Sequence, residues 1–182
     1  MPILKQEVDH YPEELFETMD EYESAWLFYI ISRREKDFMR KLIPKNIAFY
    51  GPIIEKRYRS PSGRFRTSFI PLFSNYVFVF GSEEQRFEAM TTNCVSKYTQ
   101  VTEKEQLIHD LVQIKTVLHS GVPVLQEQKI EKGQDVHVKN GPFKGFDGKV
   151  IRRESKTRLL VHVKFIDQGV SMEIDESQLQ AI

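Results

Sequence analysis

Two uninterrupted runs of β-branched and aromatic residues constrain the fold of this chain more than any other feature. Residues 25–31 read Ala-Trp-Leu-Phe-Tyr-Ile-Ile, and residues 75–80 read Asn-Tyr-Val-Phe-Val-Phe. Apolar runs without polar alternation are typical of strands that are buried on both faces. The chain is therefore predicted to build a sheet around these two strands, with helices covering the sheet.

The residues around these runs predict the remaining elements of an α/β body. A turn of sequence Ser-Pro-Ser-Gly separates two strand-like segments and predicts a β-hairpin with a basic arm. Ser82 and Gln85 have the spacing of a helix capping box. The predicted helices are 33–43, 82–90 and about 102–120, and the other predicted strands are 53–59, 64–70 and 95–101.

The character of the sequence changes near residue 130, where short strand-like segments alternate with glycine-containing turns. This spacing is typical of a small β-barrel. The predicted organisation is an N-terminal extension at 1–23, an α/β body at 24–120, a linker at 121–129 and a barrel at 130–182. The predicted fold class is α+β, with an antiparallel sheet and flanking helices followed by a small barrel.

Charge is segregated along a chain whose formal net charge is zero. Residues 1–23 hold eight acidic side chains and one basic side chain, whereas residues 24–129 hold 16 basic and 10 acidic side chains. An acidic extension of this kind is either a solvated tail or a mobile mimic of nucleic acid that covers a basic face. Both interpretations stay open at this point.

Several function classes are not favoured by the composition. Cys94 is the single cysteine, which excludes an intramolecular disulfide and fits a cytoplasmic setting. The five histidines are scattered, and no set of residues has metal-ligand spacing or a nucleophile motif. We therefore expect a protein that is not an enzyme, with no metal and no cofactor, and with no membrane association.

The sequence resembles the NusG-like transcription factors over residues 25–182. Trp26 to Tyr29, followed by Arg33 and Glu35, is similar to the opening strand and helix of that family. Residues 71–79, Pro-Leu-Phe-Ser-Asn-Tyr-Val-Phe-Val, resemble its hallmark strand. The glycines and valines of 133–150 resemble the KOW motif, which forms an SH3-like barrel; they are Gly133, Val136, Val138, Gly141, Gly145, Gly148 and Val150.

This resemblance implies a monomeric transcription elongation or antitermination factor. Such proteins bind the clamp helices of RNA polymerase through an aromatic pocket on the N-terminal domain, and they suppress pausing or termination. They also contact upstream or non-template DNA. The KOW barrel recruits a further partner, such as a ribosomal protein or a termination factor.

Two sets of residues are candidates for these contacts. A pocket for a protruding apolar helix tip needs rigid aromatic side chains at an accessible edge, although the same side chains could instead form the core. The candidates for the pocket are Trp26, Phe28, Ile30, Tyr76, Phe78 and Tyr98. Basic side chains that alternate with aromatic ones suit the binding of phosphates and the stacking of exposed nucleobases, although a solvated protein surface can have the same pattern. Those candidates are Arg33, Arg34, Arg40, Arg57, Arg59, Arg64 and Arg66.

The candidate partner surface of the barrel is formed by Phe146 and Ile166. Residues 166–168 read Ile-Asp-Gln where ribosome-coupled relatives have Phe-Gly-Arg, and Ser74-Asn75 replaces Pro-Gly. The first departure argues against binding of a ribosomal protein or termination factor through this loop. The second, together with the basic hairpin and the acidic extension, favours a specialised, operon-specific paralogue over a general factor. The alternative function is that of a KOW-type RNA-binding protein on the translation side, although such a protein should be markedly basic.

Overall fold

The computed structural model describes residues 7–128 and 133–182, and contacts divide the chain into two compact units, Met1–Lys104 and Glu105–Ile182. Both units are built on antiparallel sheets with few helices, so the fold is mixed α+β. This division differs from the sequence-based one at the last helix, which we had grouped with the body and which clusters almost entirely with the second unit.

The first unit is a five-stranded antiparallel sheet with a separate hairpin. Its strands are β1 (His10–Tyr11), β2 (Ser24–Ile30), β3 (Ala48–Tyr50), β4 (Ile53–Arg59), β5 (Phe65–Pro71), β6 (Tyr76–Gly81) and β7 (Val95–Gln100). The order in the sheet is β1-β3-β6-β2-β7, while β4 and β5 form a separate two-stranded sheet. The two apolar runs therefore form adjacent central strands, β2 and β6, as predicted.

Helices pack on the sheet because each presents an apolar face to it. The helices of this unit are α1 (Leu15–Thr18), α2 (Glu35–Leu42) and α3 (Glu83–Met90), with 3₁₀ helices at Met19–Glu21 and Ile43–Lys45. Phe38 and Leu42 of α2 and Ala89 of α3 join the core cluster formed by Trp26 and Phe28.

The Ser82 and Gln85 capping box is present at the start of α3, as predicted.

The described part of the acidic extension, residues 7–23, is folded and is not a solvated tail. His10 and Tyr11 pair with Tyr50 and Phe49, which makes β1 the outer strand of the sheet. Leu15 and Met19 are fully buried. Six of the eight acidic side chains face solvent, while these apolar side chains, four residues apart, enter the core. The sequence interpretation as a tail or a mobile mimic is thus wrong for these residues.

The second unit combines one long helix with a six-stranded antiparallel sheet. The helix is α4 (Lys104–His119), and the strands are β8 (Val124–Glu127), β9 (Gln134–Val138), β10 (Asp147–Arg153), β11 (Lys156–Val163), β12 (Gln168–Glu173) and β13 (Leu179–Ala181). Their order is β13-β9-β10-β11-β12-β8. β8 lies in the segment that we predicted as a linker, so part of that segment is a strand of the sheet.

Two buried side chains of α4 form hydrogen bonds with main-chain groups of the second unit. The Gln113 side chain accepts a hydrogen bond from the Asp147 amide (2.9 Å) and donates to the Asp147 carbonyl (3.4 Å). Asp110 accepts a bond from the Lys164 amide at 2.9 Å.

None of the helices within the described ranges is long and apolar enough to cross a membrane.

Candidate partner-binding and nucleic-acid-binding surfaces

The sheet separates the six predicted pocket residues into two groups. Tyr76 lies opposite Tyr29 in the register of β2 and β6, and Phe78 lies opposite Leu27. Residues that are directly paired share a face of the sheet. Trp26, Phe28 and Ile30 therefore point to the other face, where Tyr98 lies opposite Phe28. The prediction of one pocket formed by all six residues is therefore wrong, because the strand register places them on two faces of the sheet.

Burial removes four of the six from any accessible surface. Trp26, Phe28, Ile30 and Phe78 are at most 2% exposed. The Phe28 ring lies 5.5 Å from the ring of Phe38, on α2, so it belongs to the helix–sheet core. These side chains contribute hydrophobic stability and are not open to a partner in this structure.

The other two residues, Tyr76 and Tyr98, remain accessible on opposite faces. Tyr98 is 39% exposed, and its ring lies 5.9 Å from that of Phe28. The guanidinium of Arg86 lies 4.5 Å from the centre of the Tyr98 ring. Tyr98 thus covers the end of the core, and Arg86 covers Tyr98.

Tyr76 forms a half-exposed aromatic patch with a residue that sequence reasoning missed. Its ring packs edge-on against that of Tyr29 at 5.1 Å, and the Lys97 ammonium lies 4.3 Å from the centre of the Tyr29 ring. We call Tyr29, Tyr76 and Lys97 the tyrosine patch. Such rings lose little conformational entropy when a partner binds, so they suit the anchoring of a protein surface.

The loops at this end of the sheet hold the tyrosine patch in position. The Asn75 carbonyl accepts a bond from the Ile30 amide at 2.7 Å, and the Asn75 amide donates to the buried carboxylate of Glu35 at 2.8 Å. Asn75 has a φ of 69°, a left-handed conformation that asparagine tolerates better than most residues. This explains why asparagine suits the turn before Tyr76.

Basic side chains at and near α2 already have partners within the protein. Arg34 pairs with Asp37 at 3.0 Å and donates to the Asn93 carbonyl at 2.7 Å. Arg40 pairs with Glu7, in the acidic extension, at 2.8 Å. Arg33 is exposed, with a φ of 66°. Two of the three predicted nucleic-acid contacts in this region therefore already have acidic partners.

The β4–β5 hairpin, in contrast, presents its charge to solvent. Residues 53–71 hold five basic side chains and one acidic side chain, and the salt bridges found among the described residues include none of the five. Phe65 is 66% exposed and Tyr58 is 45% exposed. The predicted contacts Arg57, Arg59, Arg64 and Arg66 all lie on this exposed element, which makes it the best candidate for contact with nucleic acid.

The candidate partner residues of the second unit are only partly accessible. Phe146 is half-buried, and its ring lies 5.5 Å from that of the buried Phe143. Ile166 is half-buried in the 3₁₀ helix Lys164–Ile166, next to Phe165, which is more exposed. Partner binding by Phe146 and Ile166 stays a prediction.

One carboxylate of the second unit, that of Asp147, contacts two histidines. His137 lies 2.7 Å from Asp147, and His109 lies 3.8 Å from the other oxygen of the same carboxylate. Across residues 7–128 and 133–182, no group of three or more His, Cys, Asp or Glu residues is arranged to hold a metal ion.

The chain was compared with family models, curated proteins and solved structures. No family model matches the chain, and no curated protein matches it either. Among solved structures, a chain of the MjSpt4:Spt5 complex is 16% identical, and the match covers 87% of this chain and 96% of that chain with a TM-score of 0.28. A likeness at this level carries no argument about function.

Proposed function

We propose that this protein is a transcription elongation or antitermination factor that binds RNA polymerase through the tyrosine patch. The observation that carries the proposal is the half-exposed Tyr29–Tyr76 pair at the start of β6. This strand begins within residues 71–79, the segment that resembles the hallmark strand of NusG-like factors. In this proposal the anchoring rings are those of Tyr29 and Tyr76, and they replace the six-residue pocket that was predicted from the sequence.

In this proposal, the apolar tip of the polymerase clamp helices packs against the two tyrosine rings. Half-exposed tyrosines supply apolar contact area, and their hydroxyl groups remain hydrogen-bonded at the wet edge of the contact. The hairpin is held near nucleic acid, and the protein suppresses pausing or termination. The second unit recruits a further partner through Phe146 and Ile166, and the protein acts in the cytoplasm without enzymatic activity.

The translation-side alternative has less support from the second unit. Five of its basic side chains pair with acidic ones, which lowers the positive charge available to RNA phosphates. These residues are Lys149, Arg152, Arg153, Lys156 and Arg158. We therefore do not propose RNA binding by this unit.

Binding of the purified protein to core RNA polymerase without nucleic acid tests the proposal. Tyr76→Ala is expected to weaken binding about tenfold or more, since a buried aromatic anchor contributes upwards of about 1–2 kcal/mol. Phe87→Ala is the matched control, because Phe87 is 65% exposed on α3 and lies outside the tyrosine patch. Equal binding by Tyr76→Ala and wild type, or no binding by the folded wild type, would contradict the proposal.

A further inference from the structure

Three of the five histidines of the chain lie where α4 meets the sheet of the second unit. His109 is on α4, His137 is on β9 and His162 is on β11. Histidine is the side chain whose ordinary pKa places its change of charge between about pH 5 and pH 8. The contact between α4 and this sheet therefore gathers most of the histidines of the chain in one place.

A polar cavity of about 800 Å³ lies between α4 and the sheet at this point. From α4, its charged and titratable lining includes His109 and Asp110. The facing side contributes Asp135 of β9, Asp147 and Lys149 of β10, His162 of β11, and Lys164 after β11. A polar cavity of this size admits water, so protons can reach the groups that line it.

One buried carboxylate beside the cavity attaches α4 to the chain after β11. Asp110 is 2% exposed, and it accepts hydrogen bonds from the Lys164 amide at 2.9 Å and from the Gln106 side chain at 2.8 Å. A buried carboxylate is stable when such bonds satisfy its oxygens. Any change that disturbs the surroundings of Asp110 therefore disturbs the attachment of α4.

His162 is the histidine that this site holds least favourably in its charged form. Its ring is half-buried, and no hydrogen bond joins it to the part of the chain that the structure describes. Charged groups of several elements act on it: Asp110 of α4, Asp135 of β9, Lys149 of β10, and Lys164 and Asp167 of the segment after β11. Burial lowers the pKa of His162, while the attraction of Asp110 and the repulsion of Lys149 are smaller and opposed.

We propose that α4 and the sheet of the second unit form an acid-sensitive joint, in which protonation of His162 loosens α4 from the sheet. With α4 attached, the imidazolium lies partly out of water near two ammonium groups, and Asp110 is already bonded to the Lys164 amide. When α4 moves away, the imidazolium is hydrated. Because the attached state binds this proton less readily than the loosened state, the attachment is complete above pH 6.5 and weakens as the pH falls below this value.

Amide hydrogen exchange of the full-length protein at about pH 7.5 and about pH 5.5, corrected for intrinsic exchange rates, tests this inference. Exchange in α4 is expected to be at least about twofold faster at the lower pH, whereas exchange in β2 and β6 of the first unit should not change. His162→Gln should remove this dependence, because glutamine keeps the polar character of the site and does not titrate. His119→Gln is the matched control and should keep it, since His119 is an exposed histidine of the same helix outside the cavity.

An NMR titration of the His162 ring in the wild type provides a second test that needs no variant. Its midpoint should lie below 6.5, and circular dichroism should show that both variants are folded at both pH values. The inference is overturned by a midpoint at or above 6.5, by equal exchange of α4 at the two pH values, or by an unchanged pH dependence in His162→Gln. Faster exchange across both units would indicate general acid unfolding and would also overturn it. Polymerase takes no part in these measurements, so the inference and the proposed function fail separately.

Discussion

At the scale of single residues, one carboxylate determines which cations of α2 are accessible. Asp37 Oδ2 accepts hydrogen bonds from Lys41 at 3.0 Å, from Arg34 at 3.0 Å and from the Cys94 thiol at 3.3 Å. The bond from Lys41, followed by those from Cys94 and Arg34, lowers the pKa of Asp37 from 3.8 to about 2. Arg34 and Lys41 are therefore both held against the protein by this carboxylate.

The lowered pKa of Asp37 predicts a specific acid response. The folded protein binds the proton of Asp37 less readily than the unfolded chain, so the stabilisation is present above pH 3.8 and is lost as the pH falls towards 2. We expect a carboxyl-carbon NMR titration of Asp37 with a midpoint near 2. Asp37→Asn should lose less stability than the wild type across this interval in urea unfolding, and a midpoint near that of an ordinary aspartate would contradict the prediction.

At the scale of elements, the N-terminal segment is part of the core of the first unit. Phe16, in α1, packs edge-on against Tyr50 at 4.8 Å, and Tyr22 lies 6.2 Å from Phe80. Tyr50 and Phe80 lie on the same face of the sheet as Phe78. The segment thus covers the side of the sheet opposite to α2, and its acidic side chains form the outer surface.

Leu15→Ala is expected to lower the free energy of unfolding by roughly 2–5 kcal/mol, because Leu15 is fully buried and truncation leaves a cavity. The matched control is Glu17→Ala in the same helix, where the side chain is exposed and the change should be within about 0.5 kcal/mol. Chemical denaturation followed by circular dichroism measures both values. If the two variants were equally stable, residues 7–23 would behave as the solvated tail that the sequence first suggested.

At the scale of the whole molecule, the chain is divided into two units, and β8 belongs to the second. β8 pairs with β12, and its Glu127 carboxylate is buried. Glu127 accepts bonds from Ser171 at 2.7 Å and from Arg153 at 3.3 Å. Arg158, also buried, donates to Ser171 Oγ at 2.9 Å. This network joins four strands of one sheet within the second unit, β8, β10, β11 and β12.

Glu127→Ala should therefore lower the stability of the second unit by roughly 1–3 kcal/mol, because it removes the acceptor of the buried Ser171 hydroxyl. Amide hydrogen exchange should become faster mainly within residues 105–182, whereas Leu15→Ala should act mainly within residues 7–104. Leu125→Ala is the control on the same strand, since Leu125 is 51% exposed. Exchange that is unaltered in β12 would contradict the assignment of β8 to this sheet.

The sequence by itself determined the elements whose information is local. The apolar runs specified β2 and β6, the Ser-Pro-Ser-Gly turn specified the hairpin, and the Ser82–Gln85 spacing specified the start of α3. Gly141 and Gly145 take positive φ angles of 85° and 92° in the predicted turn before β10. In each case the pattern lies within a few neighbouring residues, so the element can be predicted without knowledge of the tertiary structure.

Only the tertiary structure decided which side chains can meet a partner. A shift of one residue in strand register moves a side chain to the other face, and no local pattern fixed the register that pairs Tyr76 with Tyr29. The Arg40–Glu7 pair joins residues 33 positions apart, and the Phe16–Tyr50 contact is also distant in sequence. Such contacts depend on how the elements pack against one another. For this reason the sequence predicted the hairpin correctly, whereas most residues of the predicted pocket lie in the core.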